Sequence, residues 1–122
     1  MNIEAVREYC LTLPLAEECL PFDDTTLVFK VLGKMFAVVS MLRPDVVIVK
    51  CEPELAIELR ESYADIDAAW HFNKRHWNEL HTEPHLRDSF VCEQIRGSYA
   101  AVIAMMPRRV VAAHPQELTV QR

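Results

Sequence analysis

Ile3, Val6, Cys10 and Leu13 recur at the three-and-four spacing of one helix face, with Asn2 as a cap ahead of them and Pro14 as a stop behind. This predicts a helix over 2–13. At Thr26 the period changes to two. Leu27, Phe29 and Val31 alternate with Val28 and Lys30, and Leu32-Gly33-Lys34 supplies a tight reversal before a second strand over 35–41. Gly33 falls where a positive φ is useful. Arg43-Pro44-Asp45 reads as the next turn, and the β-branched run over 46–50 as a third strand.

Helical spacing returns at Pro53, a residue suited to a first turn. Leu55, Ala56, Leu59 and Tyr63 form the stripe over 53–63, with Glu52 and Glu54 at the positive end of the helix dipole. Strands are predicted over 66–70 and 77–82, joined by the basic turn Phe72-Asn73-Lys74-Arg75. The last helix covers 86–106, where Val91, Ile95, Tyr99, Val102, Ile103 and Met106 hold the period for about four turns. Gly97 weakens it by roughly 1 kcal/mol relative to Ala, and Pro107 closes it. Residues 108–122 have no sustained period, contain Pro115 and read as a terminal tail. From Cys19 to Phe22, Pro21 restricts any strand to an edge position. The order is α-β-β-β-α-β-β-α, with room for an extra edge strand near Cys19. Hairpins between helices imply an α+β fold, a two-layer sandwich with an antiparallel sheet and helices on one face. One domain over 1–107 accounts for it.

Composition agrees with one core: 122 residues, 51% apolar and 25% charged. No apolar run approaches the roughly 20 residues of a membrane span, and the start lacks a basic leader and apolar stretch, so the expected location is the cytoplasm with no membrane partner. Cys10, Cys19, Cys51 and Cys92 contain no C-x-x-C pair and are expected to be reduced, mostly buried thiols. The formal net charge of -5 argues against an indiscriminate nucleic-acid binder, because neutralising phosphates needs clustered Lys and Arg. Such a role has to rest on a local patch.

Several chemistries find little support. Ser40, Ser62, Ser89 and Ser98 lie in no G-x-S-x-G elbow, and two isolated glycines cannot form a phosphate cradle. The pairs Glu17-Glu18 and Asp23-Asp24 read as solvated loop charges. His71, His76, His81 and His85 recur at gaps of 5, 5 and 4, a spacing that alternates faces along a strand and separates them on a helix, so no metal is expected. No cofactor is expected either.

The stretch WHFNKRHWNEL, residues 70–80, concentrates two tryptophans, two histidines, a lysine and an arginine in an acidic chain. A basic turn can contact phosphates while Trp70, Phe72 or Trp77 stack on bases or support the cations. The blander reading places the indoles in the core and leaves Lys74 and Arg75 to solubilise the turn. Alternation adds that if Leu80 faces the helices, Asn78 and His76 share its side, while Trp77, Glu79 and His81 face away.

The segments VREYCLTLP, PFDDTTLVFKVLGKMFAVVS, KCEPELAIELRE and HFNKRHWNEL, in that order, resemble the MmcQ/YjbR family of small bacterial proteins over roughly residues 1–107. The resemblance implies a YjbR-like fold, related to CyaY-like and secretion-chaperone-like architectures, and a non-enzymatic, DNA-binding, regulatory protein with a double-wing motif and no cofactor. It points to Lys30 in the first hairpin and to Asn73, Lys74, Arg75, His76, Trp77 and Asn78 in the second, with double-stranded DNA as partner. Arg43 and Lys50 join that surface if the fold brings them onto the same face. The chain departs from the family pattern at Leu15-Ala16, where relatives often have a Gly-containing turn, and at Trp70 and Phe72, which stand for Tyr and Met. A second expectation, from the secretion-chaperone analogy, is a protein-interaction module that binds a partner peptide or a second copy on the open sheet face.

Overall fold

In the computed structural model, which describes residues 1–69 and 72–114, Asn2 starts the first helix by accepting the Ala5 N–H at 2.9 Å. That helix is α1 (Ile3–Thr12). It is followed by β1 (Ala16–Cys19), β2 (Thr26–Val31), β3 (Lys34–Ser40), β4 (Arg43–Lys50), α2 (Pro53–Ser62), β5 (Ile66–Ala68), β6 (Trp77–His81), α3 (Asp88–Ala104) and α4 (Arg108–Ala112). The strands form one antiparallel sheet in the order β1-β2-β3-β4-β6-β5. The fold is the expected α+β sandwich, with helices on one face and the other face open.

The two faces follow from the pleat. Phe29, Val31, Val39, Val47, Val49, Ile66 and Leu80 point toward the helices and meet Val6, Cys10, Val91, Ile95 and Tyr99 in one buried cluster. Phe36 and Tyr99 pack edge to face at 5.3 Å, and the Tyr99 hydroxyl donates to the Pro14 carbonyl at 2.5 Å. Ser98 is fully buried in α3, where its hydroxyl donates to the Phe36 carbonyl and accepts the Lys50 N–H, stitching the helix to β3 and β4. A bulge between Phe29 and Lys30 lets Phe36 and Ala37 both reach the core.

Four features differ from the expectation. The edge strand lies at Ala16–Cys19, before Pro21; backbone pairing to β2 holds it, and the Glu18 carboxylate takes two hydrogen bonds of 2.6 Å from Arg7 of α1. Glu17 and Glu18 are therefore strand residues. The β3–β4 reversal occurs at Met41-Leu42, where Ser40 Oγ accepts the Leu42 N–H, and β4 begins at Arg43 opposite Ser40. Pro44 is tolerated because pairing with β6 starts only at Val46. Residues 108–112, read as tail, form α4, with Val111 buried in the main core. The final reading of a tail over 115–122, like Trp70 and His71, lies outside the described residues. All four cysteines are free, Cys10 and Cys51 buried and Cys19 and Cys92 half-buried.

Candidate nucleic-acid interface

Strand directions decide which side chains share an end of the molecule. The β2–β3 reversal at Leu32-Gly33, the end of β4 at Lys50 and the start of β6 at Trp77 all lie at one end of the sheet, because neighbouring strands are antiparallel. The Cys51 N–H donates to the His76 carbonyl at 2.6 Å and fixes the 72–76 turn there. The last turn of α3 arrives at the same end: Lys50 Nζ donates to Met105 Sδ at 3.4 Å. Lys30, Lys34, Lys50, Lys74 and Arg75 therefore share this end, and Arg108 and Arg109 follow on α4. Among the described residues, Glu17, Glu52 and Glu54 stand at this end too, Glu52 being engaged in capping α2 through the Glu54 and Leu55 N–H groups.

The opposite end is acidic. Asp23 and Asp24 precede β2, Asp45 is the third residue of β4, Asp65 precedes β5, Glu83 lies between β6 and α3, and Asp88 opens α3. The Met1 ammonium, held by the buried Thr82 carbonyl at 3.0 Å, sits 3.2 Å from Asp88 and 3.6 Å from Glu83. Arg43 and Arg87 also offset this charge only partly. His81 pairs with Asp67 and His85 with Asp65, each at 3.2 Å, so these two histidines sit on separate carboxylates, and His71 lies outside the described residues. Among the described residues, no group of three His, Cys, Asp or Glu side chains is arranged to hold a metal.

The basic turn is built rigidly. Asn73 accepts the Arg75 N–H on its side-chain oxygen at 3.0 Å, and its carbonyl accepts the His76 and Trp77 N–H groups. Arg60, from α2, donates one guanidinium nitrogen both to the Lys74 carbonyl at 2.8 Å and to Asn78 Oδ1 at 3.1 Å. Asn73, Lys74 and Arg75 are exposed and His76 is half-buried. Lys30 is half-buried and stands across from Glu17 in the β1–β2 pairing.

Two of the expected site residues take other roles. Asn78 is 1% exposed on the helix side, held by Arg60 and the Ala56 carbonyl, and cannot reach a ligand. Trp77 does lie on the open face, as alternation implies, but it is 8% exposed and packed at 5.5 Å against Phe72, so it cannot stack on a base. Both residues shape the turn from beneath. Arg43 belongs to the acidic end, where its guanidinium makes two bonds of 3.1 Å to the buried Glu79 carboxylate. Reading residues in sequence could not separate Arg43 from the lysines, nor single out Lys34, Arg108 and Arg109, because the assignment depends on which strand ends coincide.

A two-layer α+β domain with an uncovered sheet face and its charge divided between two ends is the class these features define. Residues 11–101 match the family model YjbR. The chain is 32% identical over 109 residues to the uncharacterized protein YjbR of Escherichia coli K12, covering 88% of this chain and 92% of that one. It is 29% identical over 107 residues to the uncharacterized protein YbdF of Escherichia coli O157:H7, covering 87% and 88% respectively. The crystal structure of Deinococcus radiodurans protein DR2400 superposes with a TM-score of 0.85 at 32% identity, covering 91% of this chain and 86% of that one. A Pseudomonas syringae protein shares the fold with a TM-score of 0.72 at 21% identity, covering 84% and 99%. The chain belongs to the YjbR family. No helix among the described residues is long and apolar enough to cross a membrane.

Proposed function

We propose that this protein binds double-stranded DNA without catalysing a reaction, using the basic end as its contact surface. Lys74 and Arg75 on the β5–β6 turn and Lys30 and Lys34 on the β2–β3 hairpin contact phosphates, while Asn73 and His76 set the shape of the turn. The hairpins act as a pair of wings on either side of the end of β4.

The observation that carries this reading is the separation of charge. α3 runs from the acidic end to the basic end in 17 residues, roughly 25 Å at 1.5 Å per residue. Fields between exposed charges decay over about 8 Å at physiological ionic strength. A polyanion approaching the basic end is thus largely screened from the carboxylates that make the whole chain negative, and the local patch governs association.

The mapping experiment is a titration of the isotope-labelled protein with a short duplex at low salt, followed by amide shifts. The expected result is movement concentrated at residues 31–35 and 72–76, with 43–45 and 81–85 unmoved. Shifts confined to the second set, or none at duplex excess, exclude the proposal.

A further inference from the structure

The open face of the sheet is not flat. The row Val28, Val38, Ile48 and Glu79 crosses it, one residue from each of four neighbouring strands. Above the row is a groove of about 540 Å³ toward the acidic end, walled by Phe22, Val38, Leu42, Ile48 and Phe72. Phe22 is 64% exposed and Leu42 76% exposed, two large apolar side chains held open at the rim. The volume lies within the roughly 300–1,000 Å³ of small-molecule sites, which are mostly apolar with a few placed polar groups.

The charged groups of the lining are two carboxylates, Asp23 and Glu79, and one guanidinium, Arg43. Glu79 is 3% exposed at the base of the groove, and each of its oxygens receives one bond from Arg43, a half-exposed side chain. A carboxylate accepts at about four lone-pair positions, so the two bonds from Arg43 leave Glu79 with acceptor capacity where it lines the groove. Asp23 lines the rim, kept ionised by hydrogen bonds from Thr25 and Thr26. Asp67 stands opposite Glu79 in the β5–β6 pairing. Arg43 is the groove's cation and is already matched by Glu79, which leaves the lining net negative. An apolar anion is repelled here, and an apolar cation is attracted both by the carboxylates and by the ring faces of Phe22 and Phe72.

We propose that this groove is a binding site for a small amphipathic cation, an aromatic or alkyl body carrying an ammonium group. The ammonium sits between Glu79 and Asp23, and the body covers Val38, Ile48 and Leu42. The site is independent of the basic end, so its failure leaves the DNA reading untouched.

The test uses a matched pair of probes, 4-phenylbutylamine and 4-phenylbutyrate, titrated into the full chain by calorimetry and by methyl shifts of Val38 and Ile48. The amine should bind saturably, one per chain, about tenfold or more tighter than the carboxylate, as one charged hydrogen bond provides. Glu79→Gln should cost the amine about tenfold. In case that buried change unfolds the protein, Phe22→Ala with Leu42→Ser alters only exposed positions and should weaken the amine about two- to fivefold. Lys74→Ala with Arg75→Ala should leave amine binding unchanged. Equal binding of the two probes, or amine binding insensitive to the Phe22 and Leu42 changes, overturns the proposal. So does concentration-dependent dimerisation abolished by those changes, since it assigns the groove to a second copy.

Discussion

Replacing Asn78 with Leu should release the basic turn. The carboxamide is buried on the helix side and accepts from Arg60, which with the same nitrogen holds the Lys74 carbonyl. A hydrogen bond from a charged donor contributes about 1.5–3 kcal/mol, and the greater apolar burial of Leu returns part of that. The contact from Asn78 to the Ala56 carbonyl is long, at 3.4 Å, and adds little. The net cost should be about 1–2 kcal/mol, read as a lower urea midpoint. Amide exchange at Arg75 and His76 should accelerate, because the turn loses the anchor of Arg60. In a double-mutant cycle, Asn78→Leu and Arg60→Met should couple by about 1 kcal/mol, as residues sharing a network do. Wild-type stability in Asn78→Leu together with additive single changes would refute the clamp.

Leu32 and Gly33 occupy φ of 48° and 82° at the β2–β3 reversal, the conformation that Asn-Gly turns favour. Leu32→Asn should therefore raise thermal stability by about 0.5–1 kcal/mol. Arg43→Met strands the buried Glu79 charge and should destabilise by about 3 kcal/mol, at the low end for a broken buried pair because Arg43 is half-exposed; adding Glu79→Gln should recover much of this in chemical denaturation. The Cys10 thiol is pushed up to about 12 by burial, from an ordinary value of 9.0. The unfolded chain then releases this proton first, so the contribution is complete below about pH 9 and lost as pH rises toward 12. Cys10→Ala should accordingly flatten the alkaline decline of the urea midpoint, and an unchanged slope would count against it.

Long periodic segments are legible in the sequence. α1, β2, α2 and α3 follow directly from their spacing, and alternation placed Trp77 and Glu79 opposite Leu80 as found. Short elements are not. β1 is AEEC, without apolar alternation, and exists because β2 offers an edge to pair with and Arg7 reaches Glu18. α4 has five residues, too few to display a period, and is held by Val111 entering the core. At Pro44 the local turn signal lost to a tertiary arrangement in which β6 had not yet begun to pair. Lys74 and Arg75 could be singled out by composition, whereas burial of Asn78 and Trp77 depended on α2 and Phe72 covering them. The division of charge between two ends is legible only from topology, since Lys30, Lys50 and Lys74 are distant in sequence and reach one end of the sheet through strand direction.

That division is the centre of the account, and the salt dependence of duplex binding tests it most directly. Anisotropy of a labelled duplex, titrated with the wild type and with Lys74→Ala plus Arg75→Ala between about 50 and 200 mM salt, gives the slope of log affinity on log salt. Removing two phosphate contacts should shrink the slope by about 2 and weaken binding across unrelated sequences alike. Identical slopes and affinities for the two proteins would contradict the assignment of the basic end as the DNA surface.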